Sequence, residues 1–147
     1  MQGEGSRTDL LERFRALGNA VLIGSQSFWE GVDVRGEALS LVVIDKLPFP
    51  PPNDPLVEAR VKRLESEGRN PFSDYFVAEA AVSLKQGAGR LIRSETDRGL
   101  LVVCDPRMAG MNYGRRLREA LPPMTRVMTE AEALAWLSTL SAEALPF

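Results

Sequence analysis

"LSLVVIDKL", residues 39–47, and "LLVVCD", residues 100–105, decide the fold class. Both runs are aliphatic and β-branched, and neither alternates apolar with polar residues. That is the pattern of strands covered on both faces of a parallel sheet rather than half-solvated ones. "AVLIGS" at 20–25 is a third run of the same kind. Helical spacing lies around them. Leu10, Phe14 and Leu17 recur on one face of "DLLERFRAL", 9–17, after a cap at Thr8 or Asp9, and Gly18-Asn19 ends the pattern. Further helical patterns cover 54–68, 72–93 and 112–121, and "TRVMT", 125–129, reads as a short strand before a closing helix in "EAEALAWLSTL". Strands alternating with helices predict an α/β sandwich, a parallel sheet flanked by helices. "PFPPPNDP", 48–55, fits neither a helix nor a central strand, because proline fixes φ and lacks the amide donor. It reads as a stiff, ordered loop or a linker.

Composition then removes whole classes of chemistry. A chain of 147 residues with 44% hydrophobic content suffices for one core, so a single domain is expected. The net charge of −2 is spread without a long basic or acidic run, which confines any nucleic-acid contact to a local surface. With no histidine and one cysteine, the chain lacks the usual ligands of a zinc site or an iron–sulfur cluster and any Ser-His or Cys-His couple. Cys104 sits in an apolar run and is expected to be a buried core thiol. The apolar runs are too short to cross a bilayer and "MQGEGSRTD" lacks a signal-peptide core, so no membrane partner and a cytoplasmic location are expected. No "GK" dipeptide offers a Walker A phosphate cradle and no "DE" pair a Walker B magnesium site. By that route the chain alone is expected not to hydrolyse a nucleotide, and it ligates no metal.

Against this background "QGAGRLIRSETDRG", 86–99, stands out. With each residue turning about 100° and Val77 set at zero, Ala80, Ala81, Leu84, Ala88, Leu91 and Ile92 fall within roughly 60° of it. This apolar stripe packs on a sheet. Gln86, Arg90 and Arg93 fall within about 40° of the opposite side, so their polar heads share one face. Gly87 and Gly89 beside them allow close approach, at about 1 kcal/mol each in helix propensity. The bland reading is a solvated face with ordinary surface arginines. The sharper one is an anion site, because paired guanidinium groups match phosphate oxygens through forked donors and a permanent charge.

"SFWEGVDVRG", 27–36, follows the first apolar run, at the place where ligand-binding loops of parallel sheets gather. Glu30 and Asp33 flank Gly31 there. A carboxylate so placed can accept from a ribose hydroxyl, hold an arginine or reach a metal through water. Equally, the stretch can be a turn with a buried tryptophan.

Five stretches, "SFWEGVDVRGEAL", "LVVIDKLPFPPPNDPLVEAR", "NPFSDYF", "LKQGAGRLIRSETDRG" and "YGRRLREALP", resemble in order and spacing the C-terminal motor lobe of DinG-type DNA helicases, relatives of the XPD group in helicase superfamily two. The resemblance runs from about residue 2 to 123; it departs at Ala78, where the family usually has proline. It implies a RecA-like lobe that closes over ATP and Mg2+ held mainly by an N-terminal Walker lobe, with Arg90 and Arg93 as arginine fingers. Gln86 and Gly89 would join them at the nucleotide cleft, and Glu30, Gly31 and Asp33 would line it near the ribose or couple it to single-stranded DNA. It also implies that this chain is a fragment of a larger helicase lacking the lobe's first strand and helix. A stand-alone binding or regulatory module that kept the fold without motor activity is the alternative from another class.

Overall fold

A computed structural model describes residues 5–26, 39–92 and 96–143. Helix α1 (Arg7–Leu17) opens them, its first turn capped by Ser6, whose Oγ accepts the Asp9 N–H at 3.1 Å. The cap therefore lies two residues before the expected Thr8. A hydroxyl in an extended residue just outside the helix reaches the N3 amide, which a residue already within the helix does not. Gly18, at φ +64°, ends α1 in a conformation only glycine adopts without strain.

Strands β1 (Leu41–Ile44) and β2 (Leu100–Val103) pair side by side. The Leu100 N–H donates to the Ser40 carbonyl and the Cys104 N–H to that of Ile44, both at 2.9 Å. The two bonds keep one register while both chains advance, so the strands are parallel. The run at 20–25, expected to be a strand, is not one: Val21 is 88% exposed and no chain among the described residues pairs with it. Its composition suits a strand, but a strand exists only where another backbone takes its hydrogen bonds. Residues 125–129 are also not a strand. Glu132 accepts the Met128 and Thr129 N–H groups while the Thr129 hydroxyl accepts the Glu132 N–H, a capping box that starts α6 (Glu130–Glu143).

Asp54 caps α2 (Pro55–Ser66) through the Leu56 and Val57 amides, with Pro55 at the first helical position. A π-helical turn (Phe72–Phe76) then leads into α3 (Val77–Ala88). After β2 come α4 (Arg107–Gly110), which periodicity did not reveal, and α5 (Gly114–Ala120). A Cβ on Gly114 would run into the Met108 carbonyl, so the α4–α5 corner requires glycine.

Among the described residues the chain divides into two compact units, one within 1–42, 89–101 and 125–147, the other within 43–88 and 102–124. In the first, Leu10 and Leu11 form a small core with Phe14, Leu22 and Leu39, and Arg98 lies 6.0 Å from the Trp136 ring centre. In the second, α3 packs against the π-helical turn and α5, burying Ile44, Val77, Leu84 and Leu117. Cys104, expected inside, is exposed at the end of β2. Its N–H completes the ladder while its side chain lies outside the core.

Candidate nucleotide-facing site

The apolar stripe of α3 is where helical arithmetic puts it: Val77, Ala80, Leu84 and Ala88 are buried, and so is Leu91 beyond the helix. Gln86 is exposed on the last turn of the same helix. The helix does not continue to 93 as expected. It ends at Ala88, and Gly89 and Arg90 lie in the turn that follows. Gly87 and Gly89 explain the early end, since two glycines in three residues remove most of the propensity that would carry a helix forward.

Arg90 is half-buried, and its Nε is shielded from solvent without a hydrogen-bond partner among the described residues. A buried guanidinium N–H left unpaired costs about 1–3 kcal/mol, and native proteins keep few of them. The negative end of the α3 dipole favours a cation here and gives no help to an incoming anion, so attraction for a phosphate must come from the guanidinium itself. Gln86, Gly89 and Arg90 thus fall within five residues of chain at the end of α3. Arg93, Glu30, Gly31 and Asp33 lie outside the described residues.

A second polar centre escaped the sequence reading. Asp105, the second residue after β2, is buried and accepts the Leu47 N–H at 2.9 Å and the Arg107 N–H at 3.0 Å. The Arg107 side chain closes on the same carboxylate, with Nε at 2.9 Å and Nη2 at 2.6 Å. The Arg107 hydrogen bonds, opposed by burial and assisted by the Leu47 and Arg107 amides, hold the Asp105 carboxyl well below the usual carboxylate range. With its oxygens so occupied, Asp105 is a fixed anchor at the carboxyl ends of both strands rather than a base. The signal was available: an aspartate followed by proline at the end of an apolar strand run is a strong turn former. The Arg107 guanidinium carbon lies 5.2 Å from the Phe49 ring centre, placing the proline-rich loop against this corner. Among the described residues no cluster of histidine, cysteine, aspartate or glutamate could hold a metal, and no helix is long and apolar enough to cross a membrane.

The profile of the family described as "Helicase C-terminal domain" matches residues 1–124. The chain belongs to the helicase C-terminal domain family. Its parallel strands and flanking helices are those of a RecA-like α/β lobe. This helicase C-terminal domain is 49% identical over 138 residues to the ATP-dependent DNA helicase YoaA of Escherichia coli strain K12, a match covering 94% of the chain and 22% of that protein. It is 51% identical over 126 residues to the YoaA of Haemophilus influenzae, covering 86% of the chain and 20% of that protein. With the ATP-dependent helicase DinG of Mycobacterium tuberculosis strain H37Rv it shares 44% identity over 140 residues, 95% of the chain and 21% of that protein. The chain therefore spans about a fifth of the length of these curated relatives.

Proposed function

We propose that the chain is the second motor lobe of an ATP-dependent DNA helicase, one domain of a larger cytoplasmic protein. It supplies Arg90 and Arg93 as arginine fingers to ATP and Mg2+ held on a separate N-terminal Walker lobe. The observation that carries this reading is the Arg90 Nε, buried and without a partner among the described residues, just beyond a helix that buries Val77, Ala80, Leu84 and Ala88 on its other face. Such a donor is satisfied when a phosphoryl oxygen arrives from outside, and a guanidinium aimed at charge developing during phosphoryl transfer lowers the barrier more than it tightens ground-state binding. Gln86, exposed one turn earlier in the chain, adds a neutral amide suited to orienting water or a phosphate oxygen. Gly89, Glu30, Gly31 and Asp33 complete the nucleotide side of the cleft, and single-stranded DNA runs along the same lobe.

Two measurements on the purified 147-residue chain test the division of labour. Titration calorimetry with ATP and magnesium is expected to give millimolar affinity or none, and a phosphate-release assay no turnover, because the chain has no phosphate cradle of its own. Single-stranded DNA is expected to bind weakly, with an affinity that falls as salt rises. Robust hydrolysis by the chain alone contradicts the half-motor reading.

A further inference from the structure

Within the unit that holds α3, a groove of about 520 Å3 is lined by Phe72, Val77, Met111, Asn112, Tyr113 and Arg116, together with neighbouring backbone. It lies at the opposite end of α3 from Gln86. We infer that this groove takes one nucleotide of the single-stranded DNA track, with the base against the apolar wall of Phe72, Met111 and Tyr113 and its phosphate at Arg116. The inference rests on the reading of the chain as a DNA-motor lobe and adds a place to it.

Several observations point the same way. The wall is aromatic and open: Phe72 is 46% exposed and Met111 49%, and the Tyr113 ring meets that of Phe72 edge-on at 5.2 Å. Phe49, from the proline-rich loop, backs both rings at 6.0 and 5.8 Å, so the wall is set before any ligand arrives. Among the described residues the only charge on the lining is Arg116. Its Nη1 donates to the Ser73 carbonyl at 2.8 Å, and it forms no ion pair among the described residues, whereas Arg115 beside it is taken by Glu119 at 2.7 Å. A positioned guanidinium without a carboxylate suits a phosphate. Asn112, exposed and making no hydrogen bond among the described residues, offers a donor and an acceptor to a base edge. Lastly, Phe72 and Ser73 belong to the π-helical turn, a distortion frequent at functional sites, and it is this turn that presents the Ser73 carbonyl to Arg116. The near-even charge of the chain fits a contact made through stacking with one phosphate rather than a broad basic field.

The test compares the full chain with its Phe72→Leu, Arg116→Gln and Met111→Glu variants, binding a labelled oligothymidine and an abasic oligomer of equal length by fluorescence anisotropy across a salt series. Phe72→Leu keeps apolar volume but removes the ring, so it is expected to weaken oligothymidine roughly tenfold while leaving the abasic oligomer unchanged. Arg116→Gln is expected to weaken both and to lower the salt slope by about 1. Met111→Glu places a carboxylate at an exposed position of the groove without touching the core, and is expected to weaken both oligomers even if the ring variant is too unstable to read. Unchanged binding in all the folded variants, with wild type still bound, overturns the groove, leaves the DNA-motor reading intact and points to a protein segment as the occupant. A wild-type chain that binds neither oligomer overturns the groove and the DNA contact together.

Discussion

The Asp105 carboxylate holds the Leu47 backbone N–H at 2.9 Å across 58 residues of sequence, joining the segment that follows β1 to the segment that follows β2. Asp105 is buried while its partner Arg107 keeps 46% of its side chain exposed. Solvent screens the outer part of that guanidinium, so the carboxylate acts through both its Arg107 hydrogen bonds and the buried Leu47 amide. Asp105→Ala leaves the Leu47 N–H without an acceptor, and a loss of roughly 2–3 kcal/mol in folding stability is expected. Urea denaturation followed by circular dichroism measures it. A loss near zero would mean that water replaces the carboxylate and that this corner is not an anchor.

The same carboxylate sets an acid limit on the fold. Its native pKa lies below the unfolded value of about 3.9, so protons bind the unfolded chain first as pH falls. The stabilisation is complete above about pH 4 and drains away below it. Thermal melts between neutral pH and acid are expected to show a steeper decline for wild type than for Asp105→Asn, the two curves converging at the acid end. Parallel curves would remove Asp105 as the cause.

Gly114 permits the backbone of α5 to approach α4, where the Arg118 guanidinium also reaches the Met108 carbonyl. Gly114→Ala is expected to destabilise by about 1–3 kcal/mol, as overpacking does, although alanine is the better helix former. Equal or higher melting temperature in that variant would show that the corner relaxes without cost.

Much of this was legible in the sequence. The two non-alternating runs became the two paired strands, Asp54-Pro55 opened a helix, and the buried stripe from Val77 to Ala88 followed from helical geometry alone. What failed to transfer depended on which partner took each backbone group. The run at 20–25 has a strand's residues but no adjacent backbone among the described residues, and Met128 and Thr129 gave their amides to Glu132 instead of a ladder. Local composition also could not rank Asp105 above the other acidic residues, since its role arises from Leu47, 58 residues away. The expected helix through 93 overlooked how strongly Gly87 and Gly89 favour a stop, which moves Arg90 from a helix face into a turn without changing what it offers a phosphate.

Arg90 carries the central claim, and its stability effect and its chemical effect are expected to part company. Its buried Nε has no partner among the described residues, so Arg90→Ala removes no hydrogen bond seen there and should leave the melting temperature of the chain within a few degrees of wild type. In a full-length DinG-type helicase carrying this lobe, the same substitution is expected to lower DNA-stimulated ATP turnover by roughly 10³-fold or more, the scale on which arginine fingers act. Arg90→Lys should recover little, because a point charge does not reproduce the fork, and Arg93→Ala should behave as Arg90→Ala does. The decisive measurement is the steady-state ATPase rate per folded molecule of wild type and Arg90→Ala, with melts and DNA affinity taken on the same preparations. The account predicts collapsed turnover with folding and nucleotide-free DNA binding retained; unchanged turnover per folded molecule, with a melt far below wild type, would contradict it and make Arg90 a structural residue.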